Sequence, residues 1–143
     1  MSAGNYTFYN NFRDALAKAD VDLNTNSFKA LLLTSSYTPN VATQSVLADI
    51  TSNEVAGGGD YARITLANVQ VTQAGAVVTF DSDDLSWGTN VTITAKYVAI
   101  YDDTSASDTL VVYADLDSGG GSVSSTSSTF QITNNASGIF TLS

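Results

Sequence analysis

The chain has 143 residues, the size of one ordinary domain, with fourteen acidic and five basic side chains and a formal charge of −9. That balance speaks against nucleic acid as a direct partner, because nucleic-acid binders present a basic face that displaces phosphate counterions. Cysteine and histidine are both absent, which removes disulfide frameworks, thiolate nucleophiles, cysteine/histidine zinc sites and the imidazole general base together.

At the N-terminus, MSAGNYTFYNNFRDALAKAD lacks a basic region followed by a secretory apolar run. No stretch approaches the ~20 apolar residues of a membrane span, so a soluble chain made without a signal and without a membrane partner is expected. The sequons at Asn5, Asn90 and Asn135 carry no weight in a chain this rich in Asn, Ser and Thr. Residues 1–10 read as an N-terminal arm and 11–143 as a single domain. Tyr6, Phe8 and Tyr9 lie ahead of any apolar element of their own. They seal one end of the sandwich, add an edge strand, or form an arm that docks on a neighbouring subunit, where Tyr and Phe are efficient anchors.

Phe12, Ala15, Leu16, Ala19 and Leu23 recur at helical spacing, which predicts a short helix from about Asn11 to Asp20 with Asn10 or Asn11 as N-cap. FKALLLTSS is an unbroken apolar run of strand length, expected to be covered on both faces, and SSYTPN closes it around the only proline, Pro39. Residues 43–60 fit neither period and read as a long excursion, mobile or ordered by a partner, with a helical turn at Val46 to Asp49. Val46 and Leu47 make it the candidate second contact after Tyr6, Phe8 and Tyr9.

From Tyr61 the periodicity falls towards two. YARITL, VQVTQ, AVVTF, VTITAKYVAIY, TLVVYADL, TFQIT and IFTL are rich in β-branched and aromatic residues and are separated by Gly, Asn, Asp and Ser clusters. Short strands at that spacing predict an all-β chain: an antiparallel β-sandwich or jelly-roll-like domain with one short N-terminal helix. The Gln73–Ala76 piece reads as a tight hairpin turn with Gly75 at positive φ. Residues 117–129, nearly all Gly, Ser and Thr after Asp117, read as a low-complexity loop.

FDSDDLSW, residues 80–87, comes closest to a metal motif. Asp81 and Asp83 match the first two ligand positions of a calcium loop, but Leu85 takes the third, no turn glycine follows, and Thr92 stands where a bidentate Glu should close the site. A looser site using Asp81, Asp83 or Asp84 with Asp102 or Asp103 stays open beside the plainer reading, in which these aspartates cap turns and Trp87 fills the core. Asp102-Asp103-Thr104-Ser105 departs from the aspartic-protease motif at Ser105, which replaces its glycine, and reads as a hairpin connection. Thirteen Asp and the single Glu54 offer no glycosidase signature. Serine catalysis lacks its base, and neither Gly-Gly-Gly run has phosphate-loop context. No catalytic, metal or cofactor residue is therefore assigned, and no enzyme is expected.

Six pieces in order, ALLLTSSYTPN, SNEVAGGGDY, FDSDDLSW, TAKYVAIYDDT, LVVYADL and FQITNNASGIFTL, resemble a family of small virion structural proteins of tailed bacteriophages that includes head decoration or cement proteins. The resemblance implies an all-β accessory protein, made in the bacterial host cytoplasm. It would bind the exterior of the capsid, fasten neighbouring copies of the major capsid protein, and itself be a homotrimer. It also implies that Trp87 is core and that the neighbouring aspartates cap a loop. The segment from Arg63 to Gly75 is shorter than the family pattern, and Asn134 replaces a bulky aromatic. A tail, fibre or baseplate component is the alternative, and a carbohydrate- or calcium-binding adhesion module a third.

Overall fold

A computed structural model describes residues 1–143 as an antiparallel, sandwich-like all-β domain with one α-helix. After the short strand β1 (Thr7–Phe8) and the helix α1 (Asn10–Ala17) come β2 (Phe28–Leu33), β3 (Ile64–Thr65), β4 (Gln70–Ala74) and β5 (Val77–Asp81). The chain closes with β6 (Leu85–Ala95), β7 (Tyr97–Asp102), β8 (Leu110–Asp115), β9 (Val123–Ile132) and β10 (Phe140–Leu142). One sheet has the order β1-β8-β7-β2-β3. Opposite it lie a three-stranded sheet, β10-β5-β4, and a two-stranded ribbon, β6-β9.

The alternation of side chains along a strand builds two cores from the same strands. Phe28, Ala30 and Leu32 of β2 and Val98 and Ile100 of β7 face Phe80, Leu85, Trp87, Phe130, Ile132 and Phe140 in a cluster of 25 buried residues. Leu31, Leu33, Ala99 and Tyr101 point the other way, into a cluster of nine with Tyr9, Tyr37, Leu47, Ile50 and Leu110. This is why FKALLL has no polar face: β2 is sandwiched between the opposite sheets and the excursion that follows it. In β8, Ile100 pairs with Val112 and Tyr101 with Leu110, so Val111 is a bulge residue that breaks the alternation there.

The helix begins one residue before its expected span and ends three residues sooner. Tyr9 is its N-cap residue and supplies no side-chain cap, so neither Asn10 nor Asn11 caps it. It stops because Ala19 adopts the left-handed conformation at φ 61°, a role that Gly or Asn fills with less strain. Phe12 and Ala15 carry its buried stripe.

Three expectations are corrected. The excursion is not a free loop: two 3-10 turns, Leu47–Asp49 and Thr51–Asn53, press Leu47 and Ile50 onto the sheet. Residues 123–129 belong to β9 rather than to a loop. Here Ser and Thr act as strand residues because β6 supplies partners: Ser125 Oγ donates to Val91 O at 2.8 Å and accepts from Ile93 N at 3.2 Å. VTITAKYVAIY is not one strand but two, divided at Lys96. The Lys96 ammonium binds both oxygens of Asp115 (2.9 and 3.0 Å) and the carbonyl of Asp117 (2.9 Å) where the chain crosses between sheets.

Candidate interaction surfaces

The N-terminal segment is a strap rather than an arm. The Met1 ammonium donates to Gln131 O (3.1 Å), Thr133 N donates to Met1 O (2.7 Å), and Ser2 forms a parallel bridge with Thr133. Gly4 N then reaches Asp115 O at 2.9 Å, and β1 pairs with β8. Residues 1–8 thus run from the end of β9 to the open edge of β8, tying one sheet to the other.

Its aromatics follow from that path. Phe8 stacks on Phe12 at 5.5 Å, meets Phe140 edge-on at 4.9 Å and lies under the Arg13 guanidinium. Tyr9 is fully buried, and its hydroxyl is 2.7 Å from that of Tyr37. Tyr37 donates in turn to Gln44 Oε1 (2.6 Å), so Tyr9 is the donor in the first bond, and the pair pins the excursion to the sheet. Tyr6 is half-buried against the main core. In the excursion, Leu47 is buried, and Val46 is half-buried and bridges to Thr109. Of the five residues expected to contact a partner, Tyr9 and Leu47 are therefore spent inside the chain. None of the five is a free apolar anchor, because each found an internal partner within reach.

The FDSDDLSW carboxylates serve separate loops. Asp81 accepts from Ser82 N (2.9 Å), Asp83 from Asn68 Nδ2 (2.6 Å), and Asp84 from Asn134 N (2.8 Å) and Gln131 Nε2 (3.3 Å). Asn134 returns the tie by donating from Nδ2 to the carbonyls of Ser82 and Asp83, both at 3.0 Å. Asn134 is thus the clasp between the β5–β6 connection and the end of β9. Trp87 is buried and meets Phe130 edge-on at 5.8 Å.

Asp102 is fully buried and accepts from Asn26 Nδ2 (2.6 Å) and Thr104 N (2.9 Å), closing the β7–β8 connection. Asp103 lies 3.5 Å from the Lys29 ammonium. Glu54 accepts a two-pronged bond from Arg63 (2.7 and 2.9 Å) and one from Tyr61 (2.6 Å). Burial acts to raise the Glu54 carboxyl, but those bonds outweigh it and hold the group below the ordinary glutamate range.

Two surfaces stand out, and neither was singled out from the sequence; the β6–β9 ribbon also has unpaired, charge-free edges, but its ladder is broken by bulges. The first is the outer edge of β4, which pairs only with β5. From Ile64 to Phe80 the chain holds no charged residue and no proline, and the β4–β5 ladder has no bulge. Natural edge strands are ordinarily shielded by such features. The signal was available as a charge-free run in an acidic chain.

The second is a cavity of about 570 Å³ between the strap and residues 133–141, lined by Tyr6, Asn134, Asn135, Ser137 and Phe140 among others. Gly138 shapes its wall at φ 94°, where a Cβ would come within 2.5 Å of Thr79 Cγ2. Together these features define an all-β, sandwich-like domain whose aspartates fasten loops and which leaves a charge-free strand edge and an uncharged cavity. Comparison with protein-family models, with curated proteins and with solved structures gave no match.

Proposed function

We propose that the protein is a non-enzymatic structural component of a tailed-phage virion. In this reading it is a cement or decoration protein that binds the outer head surface and fastens neighbouring copies of the major capsid protein. The observation that carries the reading is the free, charge-free edge of β4 on a chain of charge −9. An extended segment of a capsid subunit approaches there without like-charge repulsion, and main-chain pairing supplies affinity. The six resembling segments support the same reading, and so does the strap. A domain whose terminus is tied across its own sheets suits a protein that bears load. Trimers at three-fold positions would multiply a modest single contact by avidity.

With the arm folded away, attachment moves to the β4 edge. Thr72→Lys with Ala74→Lys places charge on two exposed edge residues and should release the protein from capsids while leaving its melting curve unchanged. Imaging of labelled protein on intact virions is the accompanying test. Label over the head supports the reading, and label confined to the tail overturns it in favour of a tail, fibre or baseplate role.

A further inference from the structure

We propose that the cavity between the strap and the 133–141 segment is a binding site for a neutral saccharide. Its volume of about 570 Å³ falls within the range of small-ligand sites. Its fourteen lining residues include no Asp, Glu, Lys or Arg. An anion meets no counter-charge there and a chain of charge −9 besides, and a cation meets no carboxylate. Burial raises the Tyr6 phenol above its ordinary range, so that group also stays neutral. What the wall presents is hydroxyls and amides, with the Tyr6 ring alongside, while the Phe140 ring is turned into the core against Phe8 and Phe80. A sugar makes the same combination of demands, since its hydroxyls both donate and accept while its C–H faces pack on rings.

Two atoms sharpen the assignment. Tyr6 Oη and Asn134 Oδ1 belong to lining residues, are closed off from solvent, and have no hydrogen-bond partner. Such groups are rare in folded proteins, because leaving one unpaired forfeits the hydrogen bond it makes to water in the unfolded chain. The orientation of Asn134 is fixed by its own network. Its Nδ2 faces two carbonyl acceptors, which leaves Oδ1 as the unpaired end. Neither atom is open to a water-sized group in the free protein, so a ligand hydroxyl reaches them as the strap shifts on binding, donating to Oδ1 and pairing with Tyr6 Oη. A peptide strand fits less well, because Ser2 is already paired with Thr133 and Gly4 with Asp115, so the backbone beside the cavity is engaged. The inference stands independently of where the protein resides.

The test is a panel of neutral mono- and disaccharides of glucose, galactose and N-acetylglucosamine, measured against the full chain by ligand-observed NMR and calorimetry. Sialylated and sulfated sugars serve as charged controls. Binding of at least one neutral sugar is expected, at least tenfold tighter than any charged control and unchanged by chelator. Tyr6→Phe should weaken it at least tenfold while leaving the melting temperature equal or slightly higher, since it deletes an unpaired hydroxyl. Ala136→Trp, an exposed lining position, should block the cavity and abolish binding. Absence of binding at millimolar sugar, binding indifferent to both variants, or a lower melting temperature for Tyr6→Phe would each overturn the proposal.

Discussion

The strap and the β4–β5 hairpin are both edge elements, yet they spend their residues in opposite ways. The strap holds three aromatics in four residues, and the chain uses them: Tyr9 is fully buried, Phe8 is stacked, and Tyr6 lies against the core. In the hairpin, β4 holds only small, β-branched and amide side chains, most of them exposed, and leaves one edge unpaired, while β5 spends its one aromatic, Phe80, in the core. Large apolar side chains near a sheet edge gain more from that edge than from waiting for a partner. A modest, charge-free strand with an open backbone is the better mark of a contact surface.

The largest effects should fall on the strap side. Tyr9→Ala removes a fully buried ring and the hydroxyl that holds Tyr37, and should cost about 3–5 kcal/mol in chemical denaturation. Deleting residues 1–9 should destabilise the isolated domain at least as much. A deletion variant with a normal melting curve would restore the free-arm reading. Gly138→Ala, which forces a side chain into positive φ and against Thr79, should cost on the order of 2 kcal/mol.

Titration separates the buried phenols from the loop carboxylates at opposite ends of the pH range. Burial raises the Tyr9 and Tyr61 phenols, and it raises that of Tyr37 to about 12, against a partial offset from the Tyr9 hydrogen bond. A raised phenol stabilises the fold fully below the unfolded value of about 10 and loses that contribution as pH climbs towards the folded value. Backbone donors at Ser45 and Val46 lower the Asp49 carboxyl, and Glu54 is lowered on balance. Their contribution is present above about pH 4 and is lost as pH falls through the folded values. Melting temperature against pH should therefore decline above about pH 10 and again below about pH 4, and Tyr37→Phe should soften the alkaline limb only.

The smallest effects test the local geometry. Ala19→Gly should stabilise the domain by about 1 kcal/mol, by relieving the left-handed alanine that ends the helix. Thr72→Lys, on the open edge, should change stability by less than about 0.5 kcal/mol.

Local physics made much of this fold legible. The Gln73–Ala76 turn places Gly75 at φ 61°, the Val46–Asp49 turn exists as a 3-10 element, and the run 28–33 is covered on both faces, because each depends on residues close in sequence. The failures are non-local. Tyr9 needs Tyr37, the strap needs Thr133 and Asp115, and the Ser/Thr tract of β9 needs β6. None of those pairings leaves a trace in a short window. The cavity depends on the same long-range closure between residues 2–6 and 133–141.

Hydrogen exchange on the full chain, free and bound to capsids, tests most directly the claim that the strap is core and the β4 edge is the contact. In the free protein the amides of Gly4 and Tyr9, bonded to Asp115 and Val111, should exchange slowly, whereas the outward amides of β4 exchange fast. On capsids, β4 should become protected and the strap should remain as it was. Protection gained by residues 1–9 with β4 unchanged would contradict the account.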